Sequence, residues 1–428
     1  MLHFSITNAG FPGDCYKENY RMLGKSVRNA VTPRIYKSEH SDAAEDITND
    51  LVKLSAGAKL KKIAVMSSHT PSLFWFRMDM MKHFQTLGYE VIAIGNEDEA
   101  TWRDCFRKQN IRYLSVEISR TGTDPRKDVA MFHGLRRILK QEKPDIVFTY
   151  QAKTIICGTL AARSLGICAV YPLIAGLGSV FINNDPRSVS IRMVLFAGYK
   201  IALHNCPAVF FQNQDDARVF QNQKLVKASQ VRLLRGSGVN LEQFRLLPMP
   251  TTTAFLCICR LIRDKGIYEY LEACRAIRKE FPQVRCLLVG PFDSNPTALK
   301  PEELQPFLDD GSVEYFGEQE DVRPFFEQCS VFVLPSYREG TPKTVLEAMA
   351  CGRAVITTDA PGCRETIVDG ESGYFVPPRD SDSLYVKMRE FISEPWKAAN
   401  MGVEGRRRAE ELFDVDKVNL EIAKAMNL

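Results

Sequence analysis

The sequence predicts an α/β protein built from two Rossmann-like domains in tandem, facing each other across a cleft. Three observations lead there. Short apolar runs alternate with helix-period segments from Lys61 onward, and the alternation restarts at Phe255 after a stretch, Gly236–Pro250, that carries Gly236, Gly238, Pro248 and Pro250. The chain is also 428 residues long, more than one hydrophobic core usually serves. The expected division is an N-terminal extension over 1–60, a first domain over 61–235, a second over 236–412, and a C-terminal helix in 413–428 that returns to the first domain. Ligands of open parallel sheets sit beyond the carboxyl ends of the strands, so a cleft between the domains is the expected site.

Residues 1–60 show no sustained period; Gly10, Pro12, Gly13, Pro33 and the acidic, small-residue stretch Ser41–Asp50 read as a poorly ordered extension. Ile63–Met66 is a short apolar strand. Leu73, Phe76, Met80, Phe84 and Leu87 recur at helical spacing, Gly88 ends that helix, and Tyr89–Ile94 is the next strand. The same criteria give strand Ile111–Val116, helix Asp128–Lys140, strand Asp145–Thr149, helix Thr154–Leu165, strand Ala169–Ile174, helix Ser188–His204 and strands Ala208–Phe211 and Gln230–Leu234. In the second half they give strand Phe255–Cys259, helix Ile267–Lys279 and strands Cys286–Val289, Val313–Phe316, Val331–Leu334 and Ala354–Thr357. Strands alternating with helices imply parallel sheets covered on both faces.

Composition excludes several classes. Hydrophobic residues at 45% and charged residues at 25% argue against wholesale disorder and against a polytopic membrane protein. The run Ser164–Asn184 holds 21 uncharged residues, long enough to cross a bilayer, but Gly166, Pro172, Gly176 and Gly178 interrupt it, so it reads as a buried strand and a glycine-rich turn. The twelve cysteines form no C-x-x-C pair and no zinc spacing, and the N-terminus lacks an apolar signal region; a reduced, cytoplasmic setting is expected. The net charge of +4 conceals an asymmetry: residues 61–235 carry 25 basic and 14 acidic side chains, residues 236–428 carry 23 and 31. The first half is expected to meet something anionic.

Familiar nucleotide fingerprints are missing. Gly176-Leu-Gly178 and Gly236-Ser-Gly238 begin like G-x-G-x-x-G, but Phe181 and Leu241 occupy the third glycine's place, and no P-loop occurs. The informative segment is Arg338-Glu-Gly-Thr-Pro-Lys-Thr-Val-Leu-Glu347, which follows the strand Val331–Leu334 and opens a helix at about Thr341 with Pro342 in its first turn. The backbone N–H groups of Gly340–Thr344 suit phosphate or sugar hydroxyls, with Glu339 and Glu347 on either side as acceptors. Alone, this reads as a helix cap and a solvated glutamate. Arg260-Leu-Ile-Arg-Asp-Lys-Gly266 puts Arg260 and Lys265 at a strand end and a helix start, where they suit a diphosphate; alone, it reads as a surface charge cluster. Their occurrence in one domain favours a shared ligand site.

These residues resemble the second domain of the family 4 retaining glycosyltransferases, which have the GT-B fold. The resemblance runs from about Lys61 to Glu411 and includes Phe211-Gln-Asn-Gln-Asp-Asp216, Gly236-Ser-Gly-Val-Asn240 and Asp359-Ala-Pro-Gly-Cys-Arg-Glu-Thr366. Pro71-Ser-Leu-Phe-Trp-Phe-Arg77, Thr149-Tyr-Gln-Ala-Lys153 and Gly176-Leu-Gly178 make the chain similar to bacterial enzymes of capsule, O-antigen and protein-glycan assembly, which add an α-linked N-acetylhexosamine or related sugar to a polyprenyl-diphosphate-linked saccharide. The resemblance implies that Arg260 and Lys265 hold the donor diphosphate, Glu339 with the backbone of Gly340 and Thr341 contacts the donor sugar, Glu347 bonds the ribose, and Gly317 and Gln319, in Phe316-Gly-Glu-Gln319, lie along the base. Arg77, Lys153 and Gly178 are the implied acceptor-side candidates. It implies a UDP-sugar as co-substrate with no further cofactor and no metal, in keeping with the absence of a D-x-D motif near a strand end.

The chain departs from the family in two places. Ser67-Ser-His-Thr-Pro71 stands where many relatives have a glycine-rich loop, and Phe148 and Tyr150 stand where many have histidines. His69 is expected to cap or face solvent, and Lys343 to meet an acidic substrate group or face solvent. Helix Ser188–His204 carries Arg187, Arg192 and Lys200 among apolar residues, and Leu73-Phe-Trp-Phe76 adjoins Arg77; both read as core helices with solvated charges or as a surface lying on an anionic membrane. The expected setting is peripheral on the inner face of the cell membrane, with no nucleic-acid partner. A same-fold enzyme with a soluble acceptor, such as a sugar phosphate or small glycoside, and a basic-surface binding scaffold are the alternatives.

Overall fold

Near-continuous apolar runs make the central strands of both halves, as expected where a parallel sheet is covered on both faces. The computed structural model describes residues 60–118, 124–182, 184–295 and 297–428; the extension expected over 1–60 lies, apart from Leu60, outside these residues. The first half runs β1 (Lys62–Ser67), α1 (Thr70–Thr86), β2 (Glu90–Gly95), α2 (Glu99–Arg107), β3 (Arg112–Ser115), α3 (Pro125–Glu142), β4 (Ile146–Tyr150), α4 (Thr159–Arg163), β5 (Val170–Ile174), α5 (Pro186–Leu203), β6 (Val209–Phe211), α6 (Gln214–Asn222) and β7 (Val231–Leu233). Its strands form a seven-stranded parallel sheet ordered β3-β2-β1-β4-β5-β6-β7.

The second half runs β8 (Ala254–Ile258), α7 (Ile267–Glu280), β9 (Arg285–Val289), α8 (Pro301–Asp309), β10 (Glu314–Tyr315), α9 (Arg323–Gln328), β11 (Val331–Leu334), α10 (Lys343–Ala350), β12 (Ala354–Thr358), β13 (Gly373–Val376), α11 (Ser381–Ser393) and α12 (Trp396–Arg408). Its six strands are parallel and ordered β10-β9-β8-β11-β12-β13. Each sheet has an apolar core on each face. The last helix, α13 (Val415–Met426), crosses back: Val418, Ile422 and Met426 join the core of α1 and the first sheet, and Tyr171 Oη donates to the Met426 carbonyl at 3.1 Å.

Some boundaries differ from those the periodicity predicts. α1 starts at Thr70, not Leu73, because Pro71 suits the first turn, where no N–H is needed. The helix expected from Thr154 opens as a π turn, Thr154–Gly158, with the Thr154 hydroxyl bonded to the Tyr150 carbonyl. The helix expected at Thr341 starts at Lys343, with Pro342 held outside it at ψ 110°. No helix among the described residues is long and apolar enough to cross a membrane.

Candidate active site

Lys265 and Glu339 are brought together at the carboxyl ends of neighbouring strands β8 and β11. After β8 the chain makes a 3-10 turn, Arg263–Lys265, then passes through Gly266 in the left-handed region (φ 71°) into α7. A side chain at Gly266 would collide with the Pro335 carbonyl, so only glycine lets this loop lie against the loop after β11. There Lys265 Nζ pairs with Glu339 Oε1, which also accepts from Ser336 Oγ at 2.8 Å.

Arg260 stays exposed and pairs with Asp293 at 2.8 Å rather than with a glutamate of the motif. Burial pushes the Asp264 carboxyl up, against the pull of Lys265, Arg379, Arg260 and Arg263. Four cations therefore surround one half-buried carboxylate. Arg263 and, far downstream, Arg379 are the members that sequence reasoning did not single out.

The rest of the glutamate motif faces the first domain. Gly340 packs against Ala175 and Gly176, where a Cβ on Gly176 would stand 2.9 Å from Gly340 N. Thr341 Oγ1 donates to the Gln212 carbonyl at 3.0 Å. Asn213 Nδ2 donates to the carbonyls of Glu339 (3.2 Å) and Gly340 (3.0 Å). The expected row of open N–H groups over Gly340–Thr344 is shorter than predicted, because Pro342 has none. Glu347 is buried in α10, and burial pushes its carboxyl up to about 7, with Lys343 at 3.9 Å opposing that. Lys343 does not simply face solvent: its Nζ donates to the Trp75 carbonyl at 2.9 Å and lies 5.2 Å from the Phe76 ring centroid.

Phe316–Gln319 follows β10 beside the end of β9, with Gly290 N donating to the Gly317 carbonyl at 2.8 Å. Gly317 has φ 68°, and exposed Gln319 folds back onto the Phe316 carbonyl at 2.6 Å. In the first domain Arg77 is buried beside Tyr150. Lys153 is occupied by Asp128 at 2.6 Å. Gly178 (φ 74°) has open space around it, in the loop that touches Gly340 through Gly176. His69 sits at the N-cap of α1, where its carbonyl, not its ring, takes the capping contact, from Ser72 Oγ at 2.9 Å.

Two family patterns match this chain. Residues 62–213 match "Glycosyl transferase 4-like" and residues 252–394 match "Glycosyl transferases group 1", together more than half of the sequence. The chain is a family 4-like, group 1 glycosyltransferase. It is 28% identical, over 78% of this chain and 90% of the relative, to an N,N'-diacetylbacillosaminyl-diphospho-undecaprenol alpha-1,3-N-acetylgalactosaminyltransferase of Campylobacter jejuni. It is 25% identical, over 71% and 83% respectively, to the capsular polysaccharide biosynthesis glycosyltransferase CapM of Staphylococcus aureus.

Solved structures place the glycosyltransferase in the GT-B fold. Sucrose-phosphate synthase of Thermosynechococcus elongatus superposes with a TM-score of 0.70 at 20% identity, covering 86% of this chain and 98% of that one. Anabaena HepE, solved with UDP and glucose, gives 0.69 at 16% identity, covering 86% and 99%. The two parallel sheets belong to that shared architecture.

Proposed function

We propose that this glycosyltransferase moves an N-acetylhexosamine from a UDP-sugar to a saccharide carried on a polyprenyl diphosphate, with retention of anomeric configuration. The observation that carries this reading is the alignment over 90% of a relative whose name states such a transfer. The local chemistry supports it. The bond between the sugar C1 and the diphosphate oxygen breaks, an acceptor hydroxyl oxygen bonds C1 on the same face, and the hydroxyl proton passes to the departing phosphate. Fixed cations aimed at the leaving group are then the main catalytic need, and Lys265 and Arg260 supply them without a metal. When the diphosphate takes Lys265, Glu339 is released to accept hydrogen bonds from sugar hydroxyls. Glu347 takes the ribose, and Gly317 and Gln319 line the base.

The acceptor is reached from a membrane in this reading, with the enzyme peripheral on the inner face. On α5 the side chains of Met193, Val194 and Ile201 are 65%, 67% and 63% exposed, on the same helix as exposed Arg187 and Lys200, and the helix contains no acidic residue. An apolar, basic helix face of this kind suits an anionic lipid surface. Arg192 is not part of that face: it donates to the Val180 carbonyl at 2.8 Å and stacks over Phe181.

The deciding experiment offers a panel of nucleotide sugars to the enzyme with a polyprenyl-diphosphate saccharide extract, with and without EDTA, and determines the product linkage. An α-linked N-acetylhexosamine formed in both conditions is expected. An inverted product, or transfer to sugar phosphates alone, overturns the reading.

A further inference from the structure

Loops at the carboxyl ends of β8, β11 and β13 bring together two opposite charges that the fold leaves unjoined. Asp264, next to Lys265, lies in the 3-10 turn after β8, and its carbonyl accepts from Tyr337 N, after β11, at 2.9 Å. The Tyr337 ring carries the Arg379 guanidinium, after β13, with Cζ 4.8 Å from the ring centroid. Its hydroxyl donates to Glu269 Oε1 at 2.6 Å, which fixes the ring against α7. Asp264 is half-buried, yet among the described residues no donor bonds its carboxylate, and Arg379 bonds no acceptor.

The other three cations around Asp264 are committed elsewhere. Lys265 pairs with Glu339, Arg260 pairs with Asp293 at 2.8 Å, and Arg263 lies over the Tyr268 ring at 4.3 Å. Arg379 also holds φ 65°, a left-handed conformation that an L residue keeps only where its surroundings determine it, and such outliers gather at functional sites. A diphosphate held by Lys265 and Arg260 upsets this balance. It draws on both cations and adds negative charge near Asp264, so that carboxylate must gain a proton or a new counter-ion.

We propose that Arg379 is a positioning residue for the donor: it neutralises Asp264 when the diphosphate binds, and so leaves Lys265 and Arg260 to the phosphates. This rests on the UDP-sugar donor proposed above, and adds a residue that acts through Asp264 rather than by touching the substrate.

The test titrates the full-length enzyme with UDP by calorimetry at pH 8 and pH 6, alongside thermal melts. The proteins are wild type, Arg379→Met, Arg379→Lys, Asp264→Asn and the double variant Asp264→Asn with Arg379→Met. At pH 8 Arg379→Met should bind UDP about fivefold or more weakly than wild type, whereas Arg379→Lys should stay within about twofold. Met and Lys share the backbone strain at this position, so the contrast between them reads the charge. In the Asp264→Asn background Arg379→Met should change affinity by less than about twofold, because the charge it balances is gone. The deficit of Arg379→Met should also narrow at pH 6. Without the guanidinium the Asp264 carboxyl takes up a proton more readily as pH falls, and the proton then does the neutralising. Titration of UDP itself is common to all the proteins and cancels in the ratio. An unchanged affinity in Arg379→Met, an equal loss in the Asp264→Asn background, or an equal loss at both pH values would overturn the inference and leave the UDP donor standing. A wild type that binds no UDP would overturn the donor reading and this inference with it.

Discussion

Asp216 and Arg338 form an ion pair across the junction of the two domains, and Asp216 has no exposed surface. Asp216 belongs to the first turn of α6, and Arg338 immediately precedes Glu339. Asn213, the N-cap of α6, bonds Asp216 at 3.1 Å and reaches the carbonyls of Glu339 and Gly340 with the same amide nitrogen. The loop that carries Glu339 is therefore held in place by the opposite domain, and Asn213 and Asp216 are positioning residues.

Removing one member of this pair leaves the other buried and unpaired. Asp216→Ala is expected to cost about 3 kcal/mol in unfolding free energy, and pairing it with Arg338→Met should recover much of that loss. Denaturant unfolding of the three variants checks the stability. In the double variant, transfer should stay well below wild type while UDP affinity changes little, because Lys265 lies in a different loop. Full transfer activity in the double variant would show that the pair does not position Glu339.

The fold class was legible because both sheets are parallel, and a parallel strand buried on two faces announces itself as an apolar run. Edge strand β13 and helix α6 are among the elements that escaped notice: Gly373–Val376 is four residues long, and Gln214–Asn222 is mostly polar with few apolar positions to mark a period. In the candidate site, Lys265 and Glu339 could be singled out because each follows a strand within one domain. Asn213 is the N-cap of α6 and Asp216 an acid of its first turn. Their second role depends on contacts more than a hundred residues away across the domain junction, and no local pattern encodes it. The exposure of α5 was equally hidden, because the helix is apolar on the face that packs and on the face that does not.

Glu339 neutralises Lys265 before any ligand arrives, which makes two effects of one substitution oppose each other. Glu339→Gln frees Lys265 and is expected to tighten binding of UDP by about two- to tenfold, on the scale of one partly exposed ion pair. On the proposed role of Glu339 as acceptor from the sugar hydroxyls, the same change is expected to lower kcat/KM for transfer by about tenfold or more. Calorimetry with UDP and steady-state kinetics read the two separately. Weaker UDP binding in Glu339→Gln would contradict the exchange of partners at Lys265.

The uncovered face of α5 gives a prediction independent of chemistry. Met193→Ser with Val194→Ser and Ile201→Ser should reduce flotation with vesicles containing anionic lipid by about fivefold or more, while melting temperature changes little because those side chains are exposed. Arg187→Glu with Lys200→Glu should weaken binding to anionic vesicles more than to neutral ones. Charge reversal at Arg192 is a poor probe, because that guanidinium holds the Val180 carbonyl. Unchanged flotation of both variants would remove α5 from the membrane surface.

The buried Glu347 carboxyl makes stability and donor binding respond to pH in opposite directions. Its pKa is about 7 in the folded protein and near 4.5 when unfolded, so the native state holds the extra proton between those values. Stability contributed by this group is full below the unfolded value and is lost as pH rises towards and through about 7, by up to a few kcal/mol. Glu347→Gln should therefore stabilise the protein relative to wild type at pH 8 and much less at pH 5, as read from melting curves at the two values. Donor binding should run the other way in the wild type. An ionised carboxylate accepts ribose hydroxyls better than a protonated one, so KM for the UDP-sugar is expected to fall between pH 6 and pH 8, and to stay flat over that range in Glu347→Gln. A wild-type KM that rises with pH, or a variant that keeps the wild-type slope, would detach Glu347 from the nucleotide.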